Sequence, residues 1–209
     1  MLLLDVPVVF ICPDHNEKYN ERKQYMFDFL QKLGFKNVTM FKSRSDMHYS
    51  KCIAEATCEI LSQNMDNPVL LLEDDIELTE WAHSDMEIDI PGDTDAFYLG
   101  FGRFGASRTS FTDSNGCDSS EVIYISDKYI RVINMLDAHA ILYISRRYKQ
   151  AIIDQMKKMF ASHILMINDV LIAHIQQDYN IYAYKYPFFF QTNNLGNPEY
   201  KNYCTNFRF

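Results

Sequence analysis

A run of four apolar residues that leads directly into carboxylates constrains the fold of this chain more than any other feature. The run Val69–Leu72 is followed at once by Glu73-Asp74-Asp75 and then, after one apolar residue, by Glu77. A short continuous apolar run predicts a strand buried on both faces, typically in a parallel sheet. Because buried carboxylates are costly unless they are paired, protonated or bound to a metal, we expect the acidic residues where the chain leaves the sheet.

The acidic triplet, Glu73-Asp74-Asp75, then lies at the edge of an open α/β sheet where ligands bind. Three adjacent carboxylates repel one another unless a cation is present, and their hard oxygen ligands suit Mg²⁺ or Mn²⁺. The alternative is a solvated acidic turn that caps a helix over Leu78–Ser84, where the helix dipole favours negative charge. The buried strand that precedes the triplet favours the ligand site.

The composition is that of one globular domain over residues 1–209. Of the 209 residues, 47% are hydrophobic, which is enough for a sizeable core. The net charge of −8 and the scattered basic residues argue against a nucleic-acid partner. With only seven glycines the chain has no Gly-rich phosphate loop of the P-loop or dinucleotide-binding kind.

The expected compartment is a reducing one. The five cysteines are odd in number and widely spaced, without a Cys-x-x-Cys pair. Residues 1–7 lack a basic stretch and are interrupted by Asp5 and Pro7, so neither a signal peptide nor a membrane span is expected. These features predict a soluble, cytoplasmic protein without a membrane partner.

The first part of the chain alternates strands and helices. Predicted strands are Val6–Cys12, Asn37–Phe41 and Val69–Leu72, and predicted helices are Glu17–Leu33 and Ser50–Asn64. Gly34 is placed to end the first helix in a left-handed conformation. This β-α-β-α-β order predicts a parallel sheet with right-handed crossovers.

The second part of the chain has a less regular pattern. The predicted elements are a strand at Ala96–Gly100, a hairpin of Val122–Ile125 and Tyr129–Asn134, a strand at Ala138–Ile144, a helix at Arg146–Phe160, a helix from Asn168 as N-cap to about Tyr179, and a strand at Ile181–Tyr186. The polar stretch Phe101–Glu121 is either a functional lid or a surface loop.

Two segments resemble nucleotide-sugar glycosyltransferases of the GT-A fold. The acidic triplet stands where that family has its Asp-x-Asp motif, and it is similar to the Glu-Asp-Asp form of lipopolysaccharide and collagen-type members. The segment Ala138–Arg147 resembles a His-Ala-Tyr-Leu-Ile-Ser strand that runs into a helix in those relatives. Together with the N-terminal βαβ units, the resemblance covers about residues 6–186. It extends to the N-terminal domain of a glycosyltransferase encoded by a large DNA virus of algae, and for a viral protein it implies the host cytoplasm.

The resemblance implies a Rossmann-like, mixed and mostly parallel sheet flanked by helices. It implies a nucleotide-binding half over about residues 1–100 and an acceptor-binding half over about 101–209. The implied activity is metal-dependent transfer of a hexose or deoxyhexose from a UDP-sugar to a hydroxyl of a glycan or glycoprotein. The resemblance is also compatible with further domains in a longer polypeptide.

The resemblance also implies roles for individual residues, each beside a simpler alternative. Asp75 would be the main ligand of Mn²⁺ or Mg²⁺, with Glu73 or Asp74 reaching the metal through water or binding the ribose. At the strand exits, Pro13 and Asp14 would shape the base and ribose pocket; their alternative is an ordinary turn. Arg44 and Lys51 would approach the base or the phosphates. Alternatively, both are ordinary solvated cations.

Four further residues are candidates on the donor and acceptor sides, and the resemblance implies the first three. Asp137 and His139 begin the strand that would face the donor sugar, although a histidine between apolar residues is commonly a core residue. Asp169 would be the general base of an inverting transfer, and its alternative is a favourable interaction with the helix dipole. Trp81 is either an acceptor platform or a core residue.

Two other functions remain open from the sequence. One is a phosphatase of the haloacid-dehalogenase type, because Asp75-Ile76-Glu77-Leu78-Thr79 loosely resembles its Asp-x-Asp-x-Thr motif. Glu77 replaces the second aspartate, and two βα units precede a strand that should come near the start of that fold. The other is a non-catalytic module that binds sugars or assembles with other domains, against which the intact acidic triplet argues.

Overall fold

A large mixed β-sheet organises the computed structural model, which describes residues 1–13, 15–101, 104–105, 118–161, 167–192 and 195. The strands are β1 (Val8–Cys12), β2 (Val38–Lys42), β3 (Val69–Leu72), β4 (Ile76–Leu78), β5 (Ala96–Gly100), β6 (Phe104–Gly105), β7 (Asp118–Ser119), β8 (Glu121–Tyr124), β9 (Tyr129–Ile133), β10 (Ala140–Tyr143), β11 (Ile181–Tyr184) and β12 (Phe189–Gln191). The helices are α1 (Glu17–Leu33), α2 (Tyr49–Gln63), α3 (Arg146–Ala161) and α4 (Asn168–Ala173), with short 3₁₀ turns at Leu3–Asp5 and Gln176–Asp178.

Among the described residues, the sheet has the strand order β2-β1-β3-β10-β5-β11-β9-β8. Strand β1 pairs in parallel with β2 and β3, and β5 pairs in parallel with β11. Strand β10 is antiparallel to β3 and β5, and β9 is antiparallel to β11 and β8. Within this sheet, all strands except β9 and β10 therefore run in one direction, as the prediction of a mixed, mostly parallel sheet requires.

The core lies on both faces of this sheet. Along β3 the side chains alternate, so that Leu71 packs under α2, α3 and α4 while Leu70 and Leu72 pack under α1. All four residues of the strand are buried, which confirms the prediction from the apolar run. The carboxyl ends of β1, β2 and β3 meet at one edge, and the acidic triplet follows the last of them.

Local signals fix the ends of α1. The Asn16 side chain accepts a hydrogen bond from the backbone N–H of Tyr19 at 3.2 Å, which caps the first turn. Gly34 has φ of 89°, a left-handed conformation that glycine adopts without a steric cost, and its N–H donates to Gln31 and Leu30 carbonyls. The helix spans Glu17–Leu33, as predicted.

Two predicted helices are wrong in extent or type. The segment after the acidic triplet forms β4, which pairs antiparallel with β12, instead of leading into a helix over Leu78–Ser84. Asn168 is the first residue of α4 rather than its N-cap, and α4 ends at Ala173 instead of near Tyr179. Of the stretch Phe101–Glu121, residues 102–103 and 106–117 lie outside the described residues, so its role as a lid stays untested.

No helix formed by the described part of the chain combines the length and the apolar character that crossing a membrane requires.

Candidate functional site

A cavity of about 510 Å³ opens at the carboxyl ends of β1, β2 and β3, and we call it the first cavity. Because parallel strands end at the same edge, this is where the predicted ligand site was expected. The predicted site residues that line it are Pro13, Arg44, Glu73, Asp74, Asp75 and Asp169. Lys51, Asp137 and His139 are not among its lining residues, and Asp14 lies outside the described residues.

An arginine that the sequence analysis missed holds the acidic triplet. The guanidinium of Arg22, on α1, lies 2.7 Å from Asp74 Oδ1 and 3.3 Å from Asp75 Oδ2, and all three side chains are almost fully buried. It also donates from Nε and Nη2 to the carbonyl of Leu195. The sequence signals that Arg22 is buried, because it shares a helical stripe with Met26 four residues on, but it does not signal which residues Arg22 contacts.

Negative charge in the triplet exceeds what Arg22 can neutralise. Burial raises the pKa of Glu73 well above its ordinary value, and repulsion from Asp75 and Asp74 raises it further. The pKa of Asp74 is also raised, because its burial outweighs the attraction of Arg22. Oε2 of Glu73 accepts a hydrogen bond from Gln191 Nε2 at 2.6 Å, so β12 contributes to the same site.

Asp137 and Asp169 form a second pair of carboxylates close to the triplet. Asp137 has φ of 62°, a left-handed backbone conformation that residues other than glycine seldom adopt. Its backbone N–H donates to Asp169 Oδ2 at 3.4 Å. Its own Oδ2 is buried without a hydrogen-bond partner in the described structure. Burial, then repulsion from Asp169, raises the pKa of Asp137 to about 7. Strain of this kind is common at functional sites.

Asp169 is held in place by backbone groups. Its Oδ1 accepts from the N–H of Val170 at 2.8 Å in the first turn of α4, and burial raises the pKa of its carboxyl group. The side-chain amide of Asn168 joins α4 to α2. It donates to the carbonyl of Ser50 at 2.9 Å and accepts from the N–H of Ala54 at 3.2 Å. The helix therefore positions Asp169 at the wall of the first cavity.

His139 lies inside the core rather than at the cavity. The ring is completely buried, and Nε2 lies 3.5 Å from the carbonyl oxygen of Phe189. Burial lowers the pKa of the imidazole to about 4, so it is neutral near pH 7. The backbone of His139 nevertheless supports the triplet, because its carbonyl accepts from the N–H of Glu73 at 2.9 Å.

The two predicted cations differ in their contacts. Arg44 lies at the rim of the first cavity, exposed, and forms a two-pronged ion pair with Asp46 and a longer contact of 3.5 Å with Glu55. These partners raise the pKa of the guanidinium above its ordinary value. Lys51 is in the first turn of α2, where the side chain of His48 caps the helix by accepting from Ser50 N.

The carboxylates that line the first cavity are chemically suited to a divalent cation, but they do not form a preassembled metal site. Among the described residues, no three His, Cys, Asp or Glu side chains are arranged as a metal site. The cavity wall offers carboxylate oxygens with raised pKa values, and Oδ2 of Asp74 is buried without a hydrogen-bond partner there. Uncompensated oxygen ligands of this kind suit Mg²⁺ or Mn²⁺.

No protein-family model and no curated protein sequence matches the chain. Its fold is similar to that of UDP-glucose pyrophosphorylase in a complex with UDP-glucose, with a TM-score of 0.50 and 7% identity over 87% of this chain and 74% of that chain. CTP:phosphocholine cytidylyltransferase from Streptococcus pneumoniae gives a TM-score of 0.49 and 9% identity over 90% and 94% of the two chains. A glycosyltransferase involved in glycosylation of the major capsid of PBCV-1 gives 0.42 and 7% over 86% and 93%.

At these identities the similarity shows the fold alone. The predicted fold class, a Rossmann-like α/β domain of the GT-A kind, is confirmed.

Proposed function

We propose that this protein is a glycosyltransferase that uses a divalent metal to transfer a hexose or deoxyhexose from a UDP-sugar to a hydroxyl of a glycan or glycoprotein. The observation that carries the proposal is the first cavity itself. It is lined by residues that follow β1 and β2, by the acidic triplet and by Asp169. The fold that carries it is similar to that of an enzyme with bound UDP-glucose. Its volume of about 510 Å³ is in the range of roughly 300–1,000 Å³ that is usual for ligand pockets.

The nucleotide is proposed to lie over β1 and β2, in the half of the chain formed by about residues 1–100. Pro13 and Asp14 follow β1, and Arg44 at the rim would approach the base or the phosphates. Lys51 would add charge near the N-terminus of α2, an end of a helix that already favours anions. The acceptor would be bound by residues from about 101 to 209.

Asp75 is the proposed main ligand of Mn²⁺ or Mg²⁺, and Glu73 the second. Asp74 is engaged by Arg22, so its proposed role is to bind ribose hydroxyls or the metal through water. A cation bound there would offset the charge that develops on the diphosphate when its bond to the sugar breaks. Asp137 is the proposed contact on the side of the donor sugar, and the proposed role of His139 there is indirect, because its backbone carbonyl accepts from the N–H of Glu73 and so positions the triplet.

Asp169 is the proposed catalytic base. Its carboxylate would accept the proton of the acceptor hydroxyl while the hydroxyl oxygen attacks the anomeric carbon and the diphosphate leaves. Burial raises the pKa of Asp169, which makes the carboxylate a stronger base than an exposed aspartate. A catalytic role predicts that Asp169→Asn lowers kcat by about 10²- to 10⁴-fold with little change in UDP affinity.

Nucleotidyl transfer, the reaction named for two of the similar structures, is less well supported by the cavity. That reaction starts from a triphosphate, which needs several cations or a Gly-rich loop. Among the described lining residues the arginines are Arg22 and Arg44, and Arg22 is buried against the triplet, which leaves Arg44 alone at the rim for the phosphates. A phosphatase nucleophile at Asp75 also fits poorly, because the second aspartate of that motif is replaced by Glu77, which accepts a hydrogen bond from Thr192 Oγ1 at 2.7 Å.

The deciding experiment is a calorimetric titration with UDP and with GDP, each with and without Mn²⁺. The wild-type protein should bind UDP only with metal, and Asp75→Asn should lose that binding. The exposed Asp154→Asn on α3 is the matched control and should bind as the wild type does. If no nucleotide binds under any metal condition, the proposal is wrong; if UDP binds, hydrolysis of a panel of UDP-sugars identifies the donor.

A further inference from the structure

A second cavity of about 630 Å³ shares no lining residue with the first. Its apolar lining includes Ile88, Tyr184 and Phe188, which belong to the core beneath α1. The apolar lining of the first cavity includes Leu71 of the other core and Leu72 of the core beneath α1. Nothing in the proposed transfer uses this second cavity.

Two aromatic side chains form an accessible platform in the second cavity. The rings of Trp81 and Tyr186 have centroids 5.2 Å apart and planes inclined by 33°, and Tyr186 is 52% exposed. At this distance the two rings are in contact, and the half-exposed Tyr186 presents aromatic surface to the cavity that both residues line. A cage for a cationic ligand instead needs several rings that enclose it from different sides.

Thr79 fixes the platform by joining the two segments that carry its rings. Its Oγ1 accepts a hydrogen bond from the backbone N–H of Trp81 at 3.2 Å and donates to the carbonyl of Pro187 at 2.5 Å. Its own N–H donates to Phe188 O at 2.8 Å. The backbone that carries the two rings is therefore braced, and it is continuous with the pairing of β4 and β12.

The rim of the second cavity carries exposed carboxylates. The acidic lining residues are Asp85, Glu87, Asp89 and Asp127; the lysines are Lys128 and Lys185, and His83 and Met1, with its ammonium group, also line the cavity. Lys128 lies 3.9 Å from Asp89, so part of the positive charge is engaged. An excess of acidic groups disfavours a phosphate or nucleic-acid ligand, whereas exposed carboxylates are good acceptors for hydroxyl groups.

We propose that the second cavity binds a neutral saccharide. The two faces of a sugar ring differ from its edge: C–H groups cluster on a face and hydroxyls project around the edge. The Trp81–Tyr186 platform offers aromatic faces to the C–H groups, and the carboxylates of the rim accept from the hydroxyls. The proposal does not depend on the transferase function, because binding here requires neither nucleotide nor metal.

The chain contains its own reporter for this site, since Trp81 is its only tryptophan. We would titrate the protein with cellobiose, lactose, maltotriose, xylobiose and chitobiose, following tryptophan fluorescence and ligand-observed saturation-transfer NMR. At least one saccharide should bind saturably. Tyr186→Ala should weaken that binding at least about tenfold, because half of the platform is removed.

Two variants separate this site from the first cavity. Asp75→Asn, which should abolish metal-dependent UDP binding, should leave saccharide binding at the second cavity unchanged. Tyr49→Ala removes a tyrosine of similar exposure that lines the first cavity and should also leave it unchanged. Choline chloride, titrated in the same way, tests for a cationic ligand instead. The proposal is overturned if no saccharide in the panel binds by either method, if only choline chloride binds, or if Tyr186→Ala binds saccharide as the wild type does.

Discussion

Arg22 Nη1 lies 2.7 Å from Asp74 Oδ1, and both side chains are more than nine-tenths buried. Removing one partner of a buried pair leaves an uncompensated charge, which typically costs about 3–5 kcal/mol. We therefore expect Arg22→Gln to lower the melting temperature markedly in metal-free buffer. A divalent cation at the triplet would supply the lost positive charge, so Mn²⁺ should raise the melting temperature of the variant more than that of the wild type.

Scanning fluorimetry with Mn²⁺ and with EDTA measures this difference. Arg146→Gln is the matched control, because Arg146 pairs with Asp66 at a similar distance of 2.6 Å while both side chains are largely exposed. Surface pairs contribute little, so this control should lose at most about 1 kcal/mol and show no added response to Mn²⁺. An equal Mn²⁺ response in Arg22→Gln and the wild type would mean that no cation can replace the guanidinium.

Asp137 is a residue whose replacement should stabilise the protein. Its pKa is about 7 in the folded protein, against an ordinary value of 3.8, because of burial and then repulsion from Asp169. Between these values the unfolded chain has lost a proton that the folded chain keeps, so the stability of the wild type falls as pH rises from about 4 to 7. Asp137→Asn removes this loss and should be more stable above pH 7, by on the order of 2 kcal/mol.

Asparagine is the suitable replacement because it tolerates the φ of 62° at this position. Asp137→Ala removes the same charge but disfavours that backbone conformation, so it should gain about 1 kcal/mol less than Asp137→Asn. Urea unfolding at pH 4.5 and pH 8 measures both variants. A constant difference between Asp137→Asn and the wild type across this range would contradict a raised pKa.

The sequence predicted those parts of the fold that local pattern determines. Helix α1 and strand β3 have the predicted bounds, since a cap residue, a terminal glycine and an unbroken apolar run are all local signals. The edge where the acidic triplet lies followed from the order of the first βα units. Pro13 and Arg44 line the same cavity as the triplet for the same topological reason, because they follow β1 and β2. The position of Asp169 was expected from the resemblance alone.

The parts that the sequence did not predict depend on distant partners. Strand β10 inserts between β3 and β5, which its position in the chain does not indicate. Strand β4 has three residues and is stabilised by pairing with β12, more than 100 residues later, so a helix was the wrong expectation. Arg22 stands 52 positions before Asp74, and no local pattern links the two residues.

Asp95 should stabilise the fold in a way that acid removes. Burial alone would raise its pKa, but hydrogen bonds from Arg147, Ser145 and the N–H of Asn180 outweigh burial and hold the pKa below 3.8. The carboxylate therefore joins the start of α3 to the start of β11. A lowered pKa stabilises the fold above the ordinary value of 3.8, and this stabilisation is lost as pH falls through the folded value.

Asp95→Asn should consequently cost about 2–3 kcal/mol at pH 7, the usual worth of hydrogen bonds to a buried charge. The difference from the wild type should shrink below pH 4. Asp66→Asn is the matched control: it also faces an arginine of α3, but it is exposed, and its effect should stay small. Chemical unfolding at pH 7 and pH 3.5 tests the pair, and an unchanged cost at pH 3.5 would show that the charge is not responsible.

Gly100, the last residue of β5, is expected to tolerate no side chain. A Cβ at this position would overlap the imidazole of the buried His139 and lie 3.1 Å from the carbonyl oxygen of Phe189. Overpacking of this kind typically costs about 1–3 kcal/mol, so Gly100→Ala should lower the free energy of unfolding by that amount. His139→Ala alone should also destabilise the protein, because it leaves a cavity in the core.

The two substitutions should compensate each other when combined. Removing the ring makes room for the new methyl group, so Gly100→Ala/His139→Ala should be less destabilised than the sum of the single variants, with a coupling of about 1 kcal/mol or more. Urea unfolding of the wild type, both single variants and the double variant measures that coupling. Strictly additive effects would mean that the carbonyl of Phe189, rather than the His139 ring, is what excludes a side chain at Gly100.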